Sequence, residues 1–190
     1  MLNFIMMELA IVDNTKEWTV NDYLHLGEGV WCQLINGELI MSPSPSLKHQ
    51  ITIGKIFRIL DDFAILNGGL AVLSPIDIYF DSKNVFQPDA LLVSRERKNI
   101  LSERGLEGAP DLIVEVLSVS NSQYDRYEKR EKYHEFGVVE YWIVDPANET
   151  VEVFDLEKQP NKPAIYQIAD GKFESLRFPK LKVDLNKVFS

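Results

Sequence analysis

Cysteine is nearly absent from this sequence: Cys32 is the single thiol in 190 residues. One thiol excludes an intramolecular disulfide, and no spacing of cysteine and histidine indicates a zinc site. Long apolar runs are missing as well, because the apolar N-terminus has no basic segment before it and soon reaches Asp13. This pattern predicts neither a signal peptide nor a membrane span. We therefore expect a cytoplasmic protein with no membrane partner.

Basic residues are in the minority. The 20 Lys and Arg residues face 29 Asp and Glu residues, which gives a formal net charge of −9. Binding of nucleic acid through a broad basic surface is therefore not expected. An acidic enzyme that meets phosphate through metal ions in a local cleft is compatible with this charge.

Internal repeats, low-complexity segments and long linkers are also absent from the sequence. The length suits one domain, and 45% hydrophobic residues suffice to bury a core. The order of helical and strand-like segments predicts an α/β domain with a mixed central sheet. We expect a single domain over residues 1–190, with a core at about 19–156 and a C-terminal hairpin and tail at 157–190.

Turn and cap signals divide the chain into elements. Asn36-Gly37 predicts a hairpin, and Ser46 caps a predicted helix over about 47–66. The apolar residues of that helix recur at helical spacing and include Leu47, Ile51, Phe57, Leu60 and Ala64. A second helix is predicted from Asn121 or Ser122 to about Phe136. Strands are predicted at 70–73, 76–80, 85–93, 112–117, 140–144 and 151–154, followed by strands at 165–168 and 172–176 that pair across Asp170-Gly171.

Two acidic residues occur in apolar strands. Asp89 follows Pro88 and opens the strand ALLV, whereas Glu115 lies inside LIVEVL. A carboxylate buried among aliphatic side chains is costly without a partner, and a divalent cation is a common one. Mg²⁺ binds one or two carboxylates and retains several waters, so two strand acids facing one cleft suit it. The structural alternatives are that Asp89 caps a turn and that Glu115 is a paired structural acid.

Two other acids are weaker candidates. Asp111 also follows a proline, but it precedes Glu115 by four residues on one strand. An extended chain separates these two by about 13 Å, too far to share one metal. Asp77 alternates with Ile76 and Ile78, and we expect it to face solvent or to support a ligand.

A charged helix is predicted after the Glu115 strand. Asp125 and Lys129 are four residues apart and therefore share one helix face. A solvated surface ion pair is the commoner interpretation of such a pair. Lys132, one turn further along, is an alternative to Lys129.

These motifs together resemble those of a known superfamily. PDALLV, EVLS, YDRYEKREKY and EYWIVDP resemble the PD-(D/E)XK nucleases and, more closely, the Uma-type putative restriction endonuclease family. The upstream stretch LINGELIMSPSPSLKHQ is similar to the N-terminal signature of that family. The resemblance covers roughly residues 19–154. It implies a restriction-endonuclease-like α/β fold, with a mixed central β-sheet flanked by helices and additional β-hairpins.

The resemblance also implies an active site. A Mg²⁺ ion, for which Mn²⁺ can substitute, would bind between Asp89 and Glu115, and Glu38 would add an acidic group. The superfamily has a lysine two residues beyond the glutamate, where it orients water and offsets charge, but this chain has Leu117 there. The resemblance implies that Lys129 reaches into the site instead.

Four further residues are supporting candidates. The family pattern of Asp, three residues, Lys, three residues and Tyr selects Asp125, Lys129 and Tyr133. Relatives have a histidine at the position of His49, although a lone histidine is more often structural. Gln123 could contact a substrate phosphate, although capping of the helix is the commoner role of a polar residue there.

The leading hypothesis is a Mg²⁺-dependent endonuclease that hydrolyses DNA. Asp89, Glu115, Lys129 and Glu38 would be its catalytic residues, with the first two as metal ligands. A homodimer is expected, because two-fold symmetry suits the cutting of both strands.

Two other functions compete with this hypothesis. A catalytically idle nuclease fold that serves as a binding or regulatory dimer is favoured by Leu117 and by the acidic charge. A two-carboxylate glycosidase is less favoured, because no aromatic sugar platform accompanies the acids. Trp31, Tyr141 and Trp142 are interpreted as core or dimer-interface residues. A base-stacking role for them lacks interleaved basic residues.

Overall fold

Two six-stranded β-sheets form the framework of the protein. The computed structural model describes residues 16–27, 29–42, 44–118 and 124–190. The strands are β1 (Cys32–Ile35), β2 (Glu38–Met41), β3 (Leu70–Leu73), β4 (Ile78–Asp81), β5 (Asn84–Phe86), β6 (Ala90–Val93), β7 (Leu101–Ser102), β8 (Gly105–Leu106), β9 (Leu112–Val116), β10 (Glu140–Asp145), β11 (Thr150–Asp155), β12 (Ile165–Ile168), β13 (Lys172–Glu174) and β14 (Lys182–Asp184). The helices are α1 (Val20–Tyr23), α2 (Leu47–Asn67), α3 (Arg130–Glu135) and α4 (Leu185–Phe189), with a 3₁₀ helix at Arg95–Ile100 and a π-helix at Tyr124–Lys129.

The first sheet, with the order β2-β1-β5-β4-β8-β7, is called the hairpin sheet here, and the second, β12-β11-β10-β9-β6-β3, the central sheet. In the central sheet β9 and β10 run parallel, while the other neighbours are antiparallel. This arrangement confirms the predicted α/β fold with a mixed sheet and flanking helices. A separate pair, β13 and β14, forms a hairpin near the C-terminus.

The central sheet is buried on both faces. On one face, Leu92 and Val114 pack with α2 and α4 in one hydrophobic cluster. On the other face, Leu91 and Ile113 pack with residues of α3 and of the hairpin sheet, including Phe86. Every residue of β6, β9 and β10 is buried. Strands covered on both faces are expected to be almost wholly aliphatic, so each polar residue in them requires a specific explanation.

Helix α2 begins and ends as its sequence predicts. Oγ of Ser46 accepts a hydrogen bond from the backbone N–H of His49, and Gly68 ends the helix in the left-handed conformation with φ of 69°. The predicted apolar face was partly wrong, because Leu47 and Ile51 are exposed. Leu60 and Ala64 are buried as predicted, and the rest of the buried face consists of His49, Thr52, Ile53 and Ile56.

The strand predicted at 85–93 is two strands in different sheets. β5 belongs to the hairpin sheet and β6 to the central sheet. Pro88 lies between them, and a proline has no N–H to donate to a strand ladder. The chain therefore crosses from one sheet to the other at residues 87–89, and Asp89 lies at the crossing.

The predicted pairing of 165–168 with 172–176 was wrong. β12 instead extends the central sheet beside β11, and β13 pairs with β14. The ring of Phe173 packs edge-on against Trp142 at 5.0 Å between centroids. Burial of that ring against β10 favours the observed arrangement over a hairpin exposed to solvent.

Of two further local predictions, one is confirmed and the other concerns residues that the structure does not describe. The Asn36-Gly37 hairpin is confirmed, with φ of 53° and 80° at its two turn residues. The predicted helix start at Asn121 or Ser122 lies outside the described residues. Within the described ranges, no helix has the length and apolar character that crossing a membrane requires.

Candidate active site

A cleft of about 420 Å³ lies where the two sheets meet the first turns of α2. Five of the residues proposed from the sequence line it: His49, Asp89, Glu115, Asp125 and Lys129. They come from α2, from the crossing between the sheets, from β9 and from the π-helix. The fold therefore gathers these side chains from four separate elements.

The strand register brings the two acids side by side. Ala90 lies opposite Val114 in the antiparallel pair of β6 and β9. Continuing that register by one residue sets Asp89 next to Glu115. Oδ2 of Asp89 also accepts a hydrogen bond of 2.7 Å from the backbone N–H of Val116. Asp89 is therefore fixed to β9 and does not merely cap a local turn.

Glu115 is held by two buried donors. Its Oε1 accepts a hydrogen bond of 2.9 Å from Nζ of Lys129 and one of 2.7 Å from the hydroxyl of Tyr133. Within the described parts of the chain, its Oε2 receives no hydrogen bond. One carboxylate oxygen is thus fixed, and the other remains available to a ligand in the cleft.

Lys129 links two acids inside the protein. Its Nζ lies 2.9 Å from Oε1 of Glu115 and 3.0 Å from Oδ1 of Asp125. Only 5% of Lys129 is exposed, which contradicts a solvated pair on the helix surface. Lys132, the alternative lysine, forms a peripheral ion pair with Glu135. The predicted helix face is therefore directed into the cleft.

Burial and charge shift the pKa values of this cluster in opposite ways. Burial raises the pKa of Glu115 to about 8, although the charge of Lys129 opposes the rise. Burial likewise raises the pKa of Asp125. Burial alone would lower the pKa of Lys129, but Asp125 and Glu115 raise it above its usual value. The ammonium therefore stays charged at neutral pH, whereas Glu115 retains a proton more readily than an exposed glutamate.

His49 contacts the other proposed metal ligand. Its Nε2 lies 3.1 Å from Oδ2 of Asp89. Burial lowers the pKa of His49, but the hydrogen bond and charge of Asp89 outweigh burial and raise it. Since Oδ2 of Asp89 is occupied by His49 and Val116, Oδ1 is left without a hydrogen bond from any described residue.

Two residues considered from the sequence do not join this cluster. Glu38 is exposed at the start of β2 and is not among the described residues that line the cleft. Asp111 is buried elsewhere, where it accepts a hydrogen bond from Ser94 N and pairs with Arg97. Gln123 lies outside the described residues.

Sequence reasoning missed the polar wall opposite the acids. Gln33 and Gln87 line the cleft, and Oε1 of Gln33 accepts a 3.0 Å hydrogen bond from Gln87 N. Asp77, expected to face solvent or to support a ligand, holds Gln87 through a bond of 2.7 Å from Nε2 to Oδ1. The sequence did contain a signal for Gln33, which interrupts the apolar run CQLI. As argued for Glu115, a polar side chain among apolar ones is costly to bury without a partner.

Comparisons with known proteins identify the family of this chain and a structure of similar fold. A family model described as "Uma2: Putative restriction endonuclease" matches residues 20–185. The chain belongs to the Uma2 family. A putative nuclease of the DUF820 group from Anabaena variabilis ATCC 29413 has a similar crystal structure, with a TM-score of 0.72 and 20% identity over 90% of this chain and 97% of the other. That similarity shows the shared fold. The comparison with curated proteins found no match.

The donor set of this Uma2 member suits a hard cation better than zinc. Among the described residues, no group of three or more His, Cys, Asp or Glu side chains is arranged to hold a metal ion. The cleft does offer two carboxylate oxygens without hydrogen bonds, from Asp89 and Glu115. Mg²⁺ needs only one or two carboxylates and completes its shell with water, so these residues fit it.

Proposed function

We propose that this Uma2 protein is a Mg²⁺-dependent endonuclease that hydrolyses DNA phosphodiester bonds. The observation that carries the proposal is the pair of carboxylates from neighbouring strands, Asp89 and Glu115. Each is anchored through one oxygen and leaves the other open to the same cleft. The family description supports a nuclease, and the ligand chemistry supports Mg²⁺, with Mn²⁺ as a substitute.

Asp89 and Glu115 would hold the cation. When bound, a divalent cation neutralises phosphate charge and lowers the pKa of water. His49 and the N–H of Val116 orient Asp89, while Tyr133 and Lys129 orient Glu115. Supporting hydrogen bonds of this kind fix the direction of ligand oxygens and strengthen binding.

Lys129 would offset negative charge on the phosphate. Its ammonium is buried, remains protonated and borders the cleft. A charge held in a site shielded from water acts more strongly than one on the surface. Asp125 positions this ammonium from one helical turn away. We therefore propose Asp89, Glu115 and Lys129 as the catalytic residues, without Glu38.

Nicking of supercoiled plasmid DNA with Mg²⁺ or Mn²⁺ tests the proposal. The wild type is compared with Asp89→Asn, Glu115→Gln and Lys129→Met, and Asp62→Asn serves as a control on the exposed side of α2. We expect nicking by the wild type and the control, no nicking with EDTA, and a loss of at least a hundredfold in the three site variants. Equal nicking by all five proteins would contradict the proposal.

One observation favours a second function, a catalytically idle binding or regulatory protein. Lys129 already pairs with both Glu115 and Asp125, so these buried acids share a cationic partner without a metal. Isothermal titration with Mn²⁺ separates the two functions, because a nuclease must bind the cation and an idle fold need not. Sedimentation velocity tests the proposed homodimer in either case.

A further inference from the structure

Trp31 borders the cleft with its side chain open to solvent. The residue is 56% exposed and immediately precedes β1. Its carbonyl accepts a 2.8 Å hydrogen bond from the N–H of Ser42, which fixes the backbone at the base of the hairpin. This position contradicts the core alternative expected for Trp31, whereas the dimer-interface alternative stays a prediction. An exposed indole at a cleft mouth, on a backbone held by a hydrogen bond, offers a stacking surface for a planar group.

Gln33 adds a directed donor beside this indole. The side chain lines the cleft although only 5% of the residue is exposed. Because Oε1 accepts from Gln87 N, the amide orientation is determined and Nε2 is the remaining polar atom. No described residue accepts a hydrogen bond from Nε2. A donor of this kind in the cleft lining can bond an acceptor that a ligand supplies.

The charges around the cleft oppose binding of an intact duplex. Lys129 is the single Lys or Arg in the described lining, and it is already paired with Glu115 and Asp125. Duplex DNA is held mainly by Lys and Arg contacts to phosphates. Aromatic stacking and a neutral hydrogen bond can replace the contacts of Lys and Arg with phosphates. They can do so only for a base that is no longer stacked on its neighbours in a duplex.

We propose that the cleft binds one unpaired nucleotide of single-stranded DNA, with its base stacked on Trp31 and one of its acceptor atoms bonded to Nε2 of Gln33. The volume of about 420 Å³ suits a ligand of that size rather than a double helix. This inference rests on the proposed endonuclease function and narrows its substrate to single-stranded segments.

Binding and cleavage are measured separately on one oligonucleotide that contains 2-aminopurine. Its fluorescence reports binding in Ca²⁺, for the single strand and for the duplex, and cleavage of both is then followed in Mg²⁺. The variants are Trp31→Ala, Trp31→Phe and Gln33→Ala. Tyr166→Ala is the control, because Tyr166 is 59% exposed on β12, at an edge of the central sheet. Thermal unfolding confirms that each variant is folded.

We expect the wild type to bind and cleave the single strand in preference to the duplex. Trp31→Ala should raise the Kd for the single strand about 5- to 150-fold, the range that loss of base stacking produces. Trp31→Phe should retain most of the affinity, Gln33→Ala should weaken it about three- to tenfold, and the control should match the wild type.

The possible results separate a failure of this inference from a failure of the proposed function. Equal binding of single strand and duplex, or unchanged affinity in folded Trp31→Ala, overturns this inference even when Mg²⁺-dependent cleavage is present. An equal loss in Tyr166→Ala also overturns it, because the effect is then not specific to the cleft. Binding that depends on Trp31 without any Mg²⁺-dependent cleavage contradicts the proposed function while supporting the stacking site.

Discussion

Nζ of Lys129 lies 2.9 Å from Oε1 of Glu115, although 14 positions of sequence separate the two residues. The superfamily pattern puts its lysine two residues after the glutamate, and there this protein has the buried side chain of Leu117. In the proposed site, the π-helix supplies an ammonium where the superfamily pattern has a lysine on the strand. The replacement has consequences for stability that do not depend on catalysis.

Lys129→Met should destabilise the protein. The substitution keeps the length and apolar stem of the side chain but leaves Glu115 and Asp125 buried without a cation. Removing one partner of a buried ion pair costs about 3–5 kcal/mol of unfolding free energy at neutral pH. Urea unfolding in EDTA measures this loss, with the exposed Lys158 changed to Met as the control. A loss below 1 kcal/mol would contradict a structural role for the pair.

The same variant should show a characteristic pH dependence. Burial raises the pKa of Glu115 and Asp125, and Lys129 opposes both shifts. Without Lys129 both folded-state pKa values rise further above their unfolded values of about 4. The folded variant then holds its protons more tightly than the unfolded chain, so its stability falls as pH rises. Because the pKa of Glu115 is already about 8 in the wild type, the difference should grow as pH rises through about 8, and a difference that stays constant between about pH 7 and 10 would contradict this.

Tyr133→Phe should remove one hydrogen bond from Glu115 and leave the packing intact. The Tyr133 ring keeps its edge-on contacts with Phe86 and Tyr141, at 5.4 and 5.2 Å between centroids. The expected loss is about 0.5–1.5 kcal/mol of unfolding free energy, the net value of one hydrogen bond. Urea unfolding measures it against Tyr166→Phe, which should leave stability unchanged.

Two glycines should respond in opposite directions to alanine. Gly105 has φ of 144°, and a Cβ there would lie 2.3 Å from the carbonyl oxygen of Asp77. Gly105→Ala should therefore destabilise by about 1–3 kcal/mol. Gly54, inside α2, has no atom within 4 Å of a built Cβ, so Gly54→Ala should stabilise by about 0.5–1 kcal/mol. Thermal unfolding of both variants measures the contrast, and two changes of equal sign would contradict it.

Local chemistry explains which elements the sequence predicted correctly. The Asn36-Gly37 turn and the two ends of α2 depend on caps and positive φ angles within a few residues, so they are visible in the sequence. The division of 85–93 between two sheets depends on partners far away in sequence. The pairing of β12 with β11 is likewise decided by burial across the sheet, which no local pattern contains.

The residues of the candidate site were likewise only partly predictable from the sequence. Asp89 and Glu115 were recognisable because carboxylates are rare in buried strands, and the family pattern singled out Lys129. Trp31 was assigned to the core or an interface because tryptophan is usually buried, and only the tertiary structure reveals its exposure. Glu38 was proposed from resemblance alone, and nothing in its own strand pattern distinguished an exposed acid from one in the cleft.

The crossing of the chain at Pro88 has an evolutionary consequence. Gln33 and the hairpin that fixes Trp31 belong to the hairpin sheet, whereas Glu115 belongs to the central sheet. Substitutions in the hairpin can therefore alter the nucleotide that is accepted without disturbing the buried acids and their lysine. Recognition and the ionisable groups can therefore change independently in this protein, because different sheets carry Gln33 and Glu115.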